Sequence, residues 1–409
     1  MKSARATALA YTDRAGRIYF DERSRPSADG GLVRAPRDGE LIRAPKGTVP
    51  TMLPGRTPLV SGDSGGWSAE RTALSALLPA GYTRLLLPAY SERDAAPALP
   101  LFGYTFACAV EDELYVAAMQ TDESDDWTPR YFGEGELEKK IDERRALDPA
   151  NRVLTQLEIC ARDYGCFTAQ NVFLGVGEAA LPVSPKCNAR CLGCISELEP
   201  EAGIPAPQTR IDFETTAGEL ARIALAHLER VPGGIVSFGQ GCEGEPLLRT
   251  PTIASAIEQI RAATPAGTIN LNTNGSLSRS LQRLIDAGLQ AVRISLNSFR
   301  PEIYAAYYRP AGYGLDDVLE SVRLASRGGL RVSLNLLTHP GVTDERAEVE
   351  AATAFLSEVR VGMVQTRTLN IDPHRYFDVV GRPREPIGMR AALERIAEHA
   401  QLGNFTHTH

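Results

Sequence analysis

The chain has 409 residues, of which 43% are hydrophobic and 23% charged, and its net charge at pH 7 is -7. This composition is typical of a globular chain long enough for two domains. The negative charge argues against a protein that coats nucleic acid nonspecifically. No stretch approaches the ~20 apolar residues of a membrane span, and the apolar patch near the N-terminus is too short for a signal peptide. We therefore expect a cytoplasmic protein that does not bind membranes.

The first 165 residues are predicted to form an N-terminal β-containing (α+β) domain. A hairpin is expected over Tyr11–Phe20, because two β-prone runs flank Asp13–Gly16. Further short strands should follow, and then two helices around Glu136–Leu147 and Asn151–Asp163; in the second, apolar residues recur at helical spacing. We expect this domain to cover the mouth of the domain that follows it and to supply specificity.

From residue 179 the pattern becomes regular, because short apolar runs alternate with helix-period segments. The six expected strands are Ala179–Val183, Gly234–Phe238, Thr268–Asn272, Ala291–Leu296, Arg331–Leu337 and Met363–Leu369. Such alternation predicts a parallel sheet with right-handed crossovers. Six units are too few for a closed eightfold barrel, so the predicted fold class is α/β, a partial (β/α)6 TIM-like barrel over residues 179–373. Residues 374–409 should form a loop to 386, a helix over Met389–Gln401 and a tail without fixed structure.

Polar residues gather where each predicted strand ends, which is where parallel α/β folds build their sites. The residues at these ends are Cys187, Cys191 and Cys194; Gly239–Pro246; Asn272–Ser276; Ser295, Asn297 and Ser298; Asn335 and His339; and Asn370 and Asp372.

The three cysteines after the first strand have C-x3-C-x2-C spacing. Three thiolates close in sequence can hold three irons of a cubane cluster and leave the fourth iron open, whereas such clusters normally take four cysteines. An odd set of seven cysteines in a large chain also indicates metal binding or catalysis rather than disulfides. A structural zinc site is the alternative, but it needs four ligands, and no His or Cys closely follows Cys194.

The cysteine triplet, Gly244-Glu245-Pro246 and the strand-end Asn and Ser residues, in this order, resemble the radical S-adenosylmethionine (SAM) superfamily over roughly residues 179–373. The resemblance implies that Cys187, Cys191 and Cys194 hold a 4Fe-4S cluster whose fourth iron is chelated by SAM. It implies that an electron donor such as flavodoxin or ferredoxin reduces the cluster. SAM would then be cleaved to a 5'-deoxyadenosyl radical, which abstracts hydrogen from a substrate.

The resemblance also assigns the SAM contacts. Residues 243–246 match a Gly-Gly-Glu-Pro segment that holds the SAM amino group, with Glu243 where Gly is usual, and Ser295 and Asn297 match positions that reach the ribose or carboxylate. Gly193 departs from the pattern, because an aromatic residue usually stands there beside the adenine. The cofactor-binding residues implied are Glu243, Gly244, Glu245, Pro246, Thr273, Asn274, Ser295, Asn297 and Asn335.

Two further residues are candidates for catalysis. Cys242 lies in the second strand-end loop and could donate hydrogen or relay a radical, although a lone cysteine is more often a small packed residue. His339 could act as an acid or base, or it could be a structural loop residue. Cys108, Cys160 and Cys166 could hold a second cluster, but a structural role is favoured.

The substrate is left open by the sequence. RNA or a nucleoside, a protein or peptide (including activation of a glycyl-radical protein) and a small molecule are all compatible with a radical SAM enzyme. A non-catalytic iron-sulfur protein is the alternative from another class, and the complete set of strand-end residues counts against it.

Overall fold

The computed structural model describes residues 7–61, 71–123 and 135–405, so the predicted tail at 406–409 lies outside the described residues. Within these ranges, no helix combines the length and apolar character that crossing a membrane requires.

The N-terminal segment is built from short antiparallel strands. They are β1 (Leu9–Thr12), β2 (Ile18–Asp21), β3 (Arg25–Pro26), β4 (Ala28–Asp29), β5 (Val33–Arg34), β6 (Leu41–Arg43), β7 (Val49–Met52), β8 (Arg56–Pro58), β9 (Val60–Ser61), β10 (Thr72–Leu77), β11 (Tyr82–Arg84), β12 (Leu87–Pro88), β13 (Tyr90–Glu92), β14 (Thr105–Val110) and β15 (Glu113–Gln120). The largest sheet has the order β11-β15-β14-β10-β1-β2, with β6 added to β15 and β7 added to β10. The predicted hairpin is confirmed, since β1 and β2 pair with Tyr11 opposite Tyr19.

Three helices follow: α1 (Glu136–Leu147), α2 (Arg152–Arg162) and α3 (Phe167–Leu174). The side chain of Asn151 accepts from the backbone N–H groups of Val153 and Leu154, which fixes the start of α2. The apolar faces of α1, α2 and α3 lie in one core with the parallel sheet described next. The two helices expected in the N-terminal domain, α1 and α2, therefore pack in the core of the parallel α/β half of the chain.

The second half of the chain forms a parallel sheet in which each strand pairs with the next strand in sequence. Its strands are β16 (Glu178–Leu181), β17 (Ile235–Phe238), β18 (Thr268–Thr273), β19 (Ala291–Leu296), β20 (Arg331–Leu337), β21 (Met363–Arg367) and β22 (Gln401–Gly403). The accompanying helices are α4 (Ala217–Leu228), α5 (Thr250–Ala263), α6 (Ser278–Asp286), α7 (Pro301–Tyr308), α8 (Leu315–Arg327), α9 (Arg346–Glu358), α10 (Pro373–Val380) and α11 (Met389–Ala397). The fold is thus mixed α/β, as predicted.

The prediction of a loop over residues 374–386 was wrong, because α10 occupies residues 374–380. The Asp372 side chain accepts from the His374 backbone N–H at 3.0 Å, and Pro373 takes the first helical position, an arrangement that favours a helix start. Burial of Tyr376 and Phe377 then holds the helix in place. The terminal helix ends at Ala397, before the predicted end, and the chain continues into β22.

The N-terminal sheets are anchored to the carboxyl ends of β20 and β21. Arg84 donates to the Thr338 carbonyl at 3.1 Å, and the Phe102 backbone N–H donates to the Asn370 carbonyl at 3.1 Å. Arg56 forms a buried ion pair with Asp372. These contacts place N-terminal residues directly beside the strand ends where the sequence predicts the site.

Candidate functional site

The cysteine loop leaves β16 and is held from the other side by α7. Backbone N–H groups of Arg190 and Leu192 donate to the carbonyls of Tyr308 and Tyr307, each at 3.0 Å. Because α7 follows β19, these bonds tie the loop to the opposite part of the strand-end surface.

The three thiols of this loop are free and partly buried. Burial raises the pKa of Cys187 to about 11 and holds the pKa of Cys191 well above its usual range, with repulsion from the neighbouring sulfurs adding to both. In the described ranges, no three His, Cys, Asp or Glu side chains are arranged to hold a single metal ion. A cluster that takes one thiolate for each iron does not need its thiols to meet at one point, and iron-sulfur clusters are held by cysteine thiolates. The donor set therefore fits such a cluster, and loading it would release protons.

Two side chains contact the sulfur of Cys194. Arg210 Nη2 lies 3.6 Å and Ser196 Oγ 3.7 Å from Cys194 Sγ. Arg210 Nε also donates to Ser196 Oγ at 3.2 Å, and Arg210 pairs with Glu197. Hydrogen bonds to cluster sulfurs and nearby charge set the reduction potential of iron-sulfur centres. Sequence reasoning missed Arg210, because it lies 16 residues beyond the motif.

Replacing Arg210 by glutamine is expected to lower the midpoint potential of the reconstituted cluster, because a cation and a sulfur hydrogen bond are both lost. A shift on the order of 60 mV corresponds to a tenfold change for a one-electron couple. Redox titration followed by electron paramagnetic resonance measures it. Arg190→Gln removes the same charge from an exposed position on the same loop and should shift the potential much less. Equal shifts in the two variants would assign the effect to charge alone.

The second strand-end loop is braced by its two glutamates. The Glu243 carboxylate accepts from the backbone N–H groups of Val183, Ser184 and Gln240 at 2.7–2.8 Å. It thereby links this loop to the end of β16. Burial raises the pKa of Glu243 to about 8, although these three donors oppose the shift.

Glu245 connects the same loop to the end of β18 through hydrogen bonds. Its carboxylate accepts from the Thr273 hydroxyl and from the backbone N–H groups of Asn274 and Leu247, at 2.5, 2.8 and 2.9 Å. Burial raises its pKa to about 7. The carboxylates of the segment predicted to hold the SAM amino group thus already accept hydrogen bonds within the chain.

The close contact between the cysteine loop and the second strand-end loop requires a glycine at position 244. Its N–H donates to the Ser184 carbonyl at 2.7 Å, and a Cβ built on Gly244 would lie 2.1 Å from the Lys186 carbonyl oxygen. The glycine of the Glu-Pro segment therefore permits the contact between the cysteine loop and the second loop.

A cavity of about 670 Å³ opens at these strand ends. Ten of the residues predicted for the cluster and SAM line it: Cys187, Cys191, Cys194, Gly244, Glu245, Pro246, Thr273, Asn274, Ser295 and Asn335. Glu243 and Asn297 do not line it. Asn297 Nδ2 instead donates to the Ile303 carbonyl at 3.3 Å and the Tyr376 hydroxyl at 3.1 Å.

Cys242, predicted as a candidate for catalysis, lies outside the cavity. Its thiol is buried at 3% exposure, does not line the cavity and lies near the Cys160 thiol, which together with burial raises the pKa of Cys242 well above its usual range. A hydrogen donor must reach the reacting atom, and Cys242 is turned toward α2 instead.

His339 is likewise turned away from the cavity. Its ring packs between Tyr376 and Phe377, with centroids 4.5 and 4.8 Å away, and neither ring nitrogen has a hydrogen-bond partner among the described residues. Burial holds its pKa well below the usual range. An acid or base must exchange a proton with substrate, and the catalytic roles of Cys242 and His339 stay predictions.

Sequence reasoning missed the aromatic side of the cavity. A Cβ on Gly193 would lie 2.9 Å from the Tyr307 hydroxyl, and Tyr307 and Tyr308 both line the cavity beside the cysteines. Tyr307 thus occupies space that an aromatic residue at position 193 would need. No signal in the motif itself could have located it, because α7 was not predicted.

An ion pair crosses the floor of the cavity. Arg293 on β19 donates to Glu178 on β16 at 2.8 and 2.9 Å, and to Asn272 Oδ1 at 3.0 Å. The charge of Arg293 is thus matched by a carboxylate 115 residues away in the sequence.

Comparison with known proteins identifies the class. Residues 181–352 match the family model of the radical SAM superfamily. The chain therefore contains a radical SAM domain, and members of this superfamily bind a 4Fe-4S cluster and SAM.

Several curated proteins are similar to this chain in sequence. The chain is 33% identical over 190 residues to GTP 3',8-cyclase of Streptomyces coelicolor, covering 46% of this chain and 52% of that protein. It is 31% identical over 167 residues to molybdenum cofactor biosynthesis protein 1 of Mus musculus, covering 40% and 24%. The chain thus spans about half the length of the cyclase it matches. A crystal structure of Streptococcus suis SuiB bound to S-adenosylmethionine aligns with a TM-score of 0.40 at 13% identity, over 66% of this chain and 61% of that one.

Proposed function

We propose that this chain is a radical SAM enzyme in which Cys187, Cys191 and Cys194 hold a 4Fe-4S cluster. SAM would bind across Gly244–Pro246, Thr273, Asn274 and Ser295, whereas Asn335, which the sequence also assigns to SAM, lies beside Arg367. When bound and reduced by an external electron donor, these cofactors supply a carbon radical that removes hydrogen from a substrate. The observation that carries the proposal is the shared cavity, since the three thiols and the strand-end residues line one volume.

The chain's own residues would position the cofactors and keep water out. The glutamate braces fix the second loop against β16 and β18, and α7 closes the cysteine loop with two backbone hydrogen bonds. Tyr307 and Tyr308 would present aromatic faces beside the cluster ligands, where an adenine ring could pack. Such fixed walls suit radical chemistry, which needs exclusion of side reactions.

A partial barrel is the shape we infer for the parallel sheet, with the N-terminal sheets as a second domain. Its strands follow one another in chain order. In a flat sheet, β16 and β19 would be three strand spacings apart, or roughly 14 Å. The Glu178–Arg293 ion pair joins these two strands at 2.8 Å, and sheet curvature brings such side chains together across a barrel interior.

A small molecule is the substrate class that the cavity favours. Its volume of about 670 Å³ falls within the roughly 300–1,000 Å³ of small-molecule sites, and the N-terminal sheets are fixed to the adjacent strand ends. Because the relatives are named for GTP, a nucleotide is the first candidate to test.

The proposal is tested by anaerobic reconstitution with iron and sulfide, followed by incubation with SAM and a strong reductant. We expect charge-transfer absorbance and formation of 5'-deoxyadenosine. Absorbance without 5'-deoxyadenosine would favour the non-catalytic alternative, and a colourless protein would contradict the cluster itself.

A further inference from the structure

Arg367, the last residue of β21, lines the cavity and has an unusual set of partners. Its Nη1 donates to the Asn404 carbonyl at 2.7 Å, and its Nη2 donates to Gln365 Oε1. The remaining edge, Nε and Nη2, faces a single amide oxygen, Asn335 Oδ1, at 3.4 Å from each nitrogen. Both distances are long for a hydrogen bond, so this edge is only weakly satisfied.

Arg367 has no direct ion-pair partner among the described residues, in contrast to the other cavity arginine. Arg293 pairs with Glu178, whereas no carboxylate of the described ranges forms an ion pair with Arg367 within 4 Å. Glu245, the other carboxylate that lines the cavity, is engaged by the third strand. Arg367 is half-buried, and Glu178 and Asp122 act on its charge without forming a direct ion pair with it. Removing a charge from water without a direct counter-ion costs free energy, which makes the cavity receptive to an anion.

The pKa of Arg367 is consistent with this environment. Burial lowers it to about 10 and the charge of nearby Arg293 acts in the same direction, while the carboxylates of Glu178 and Asp122 oppose the shift. The group still carries its charge at pH 7, so an anionic ligand would find a cation that water does not screen well.

We propose that Arg367, together with Asn335, binds a carboxylate or phosphate group of the substrate, and this assignment rests on the proposed function. The Nε/Nη2 edge of a guanidinium matches two oxygens of such an anion. A planar pair of oxygens would replace the single, distant oxygen of Asn335. The side-chain amide of Asn335, also in the cavity wall, could then donate to the same anion.

The position of Arg367 in the sheet favours substrate over SAM as the source of the anion. The end of SAM that chelates iron must lie at the cysteines that follow β16. Asn404, which holds Arg367, directly follows β22, and β16 and β22 are opposite edges in the sheet order. The side-chain hydrogen-bond partners of Arg367 in the described ranges, Asn404, Gln365 and Asn335, accordingly lie on or beside β20, β21 and β22 and not on the cysteine loop.

The test uses the anaerobically reconstituted protein and isothermal titration with inorganic pyrophosphate, GTP and SAM as separate probes. Arg367→Gln is expected to weaken pyrophosphate and GTP about tenfold or more, the usual scale of one charge-assisted contact, while SAM affinity stays within about twofold. Arg327→Gln removes an exposed arginine of α8 with the same charge change and should leave all three affinities unchanged.

A second variant guards against loss of folding. Asn335→Asp places a carboxylate where Asn335 Oδ1 now faces Arg367, so it should abolish pyrophosphate binding while the melting temperature stays equal or rises. Absence of pyrophosphate and GTP binding in the unaltered protein, or equal binding in Arg367→Gln, would overturn the proposal. So would a loss confined to SAM, because the anion would then be the SAM carboxylate. If pyrophosphate binds through Arg367 but no 5'-deoxyadenosine forms, the site stands and the proposed reaction falls.

Discussion

Replacing Cys191 by alanine is expected to remove the cluster and to reduce SAM cleavage by more than about 100-fold. Mutating a residue that only hydrogen-bonds to a metal ligand typically lowers metal affinity or activity about 10–100-fold, and losing a ligand itself should cost more. The reason is the size of the donor set. Only three thiols of the motif line the cavity, and a cubane that already lacks a fourth protein ligand cannot lose another without exposing a second iron. Iron content, visible absorbance and 5'-deoxyadenosine yield measure the effect.

The matched control is Cys108→Ala. Cys108 is fully buried in β14 of the N-terminal sheet, and burial raises the pKa of its thiol to about 12, so it is a packed neutral side chain. This variant should lose some stability and keep its iron. If Cys191→Ala retained both iron and 5'-deoxyadenosine formation, the assignment of the cluster ligands would be refuted.

Replacing Asp372 by asparagine is expected to lower the free energy of unfolding by about 3–5 kcal/mol, the usual cost of removing one partner of a buried ion pair. The side chains of Arg56 and Asp372 are 3% and 2% exposed. Tyr90 also donates to Asp372 at 2.8 Å. Asparagine would keep the shape and leave the guanidinium with only the exposed Glu92, at 3.5 Å, as a counter-charge. Denaturant unfolding of the full chain measures the change.

Arg43→Ala provides the comparison, because its partner Glu113 lies on the surface and the two side chains are 71% and 47% exposed. Such exposed pairs contribute about 0–1 kcal/mol. Similar losses in the two variants would show that the Arg56–Asp372 pair does not anchor the N-terminal sheets.

The parallel half of the fold could be predicted because most of its helices and strands are indicated by the pattern of apolar residues within their own segments. Helical and strand periodicities alternate between Ala217 and Arg367, and every predicted strand is present. The misses lie where local pattern is weak. β22 has three residues and no apolar run, and α7 and α10 are single short helices whose apolar residues are buried by contacts made elsewhere in the chain.

Only those parts of the site that form a sequence motif could be predicted from the sequence. The cysteines and the Glu-Pro segment fix their own neighbourhood through spacing. The direction of a side chain in a loop is instead decided by tertiary packing, which turned Cys242 toward α2 and His339 toward α10. The Glu178–Arg293 pair joins residues 115 positions apart, and no local pattern indicates it.

The shared core of α1–α3 and the parallel sheet has a consequence for shortening the chain. The matched segment begins at residue 181, at the last position of β16. A chain cut there would lose most of that edge strand and uncover the apolar surface now covered by Val153, Leu157 and Phe173. Exposed apolar patches and unpaired strand edges promote aggregation. The smallest soluble form of this domain should therefore begin before α1, some 45 residues ahead of the segment that sequence comparison recognises.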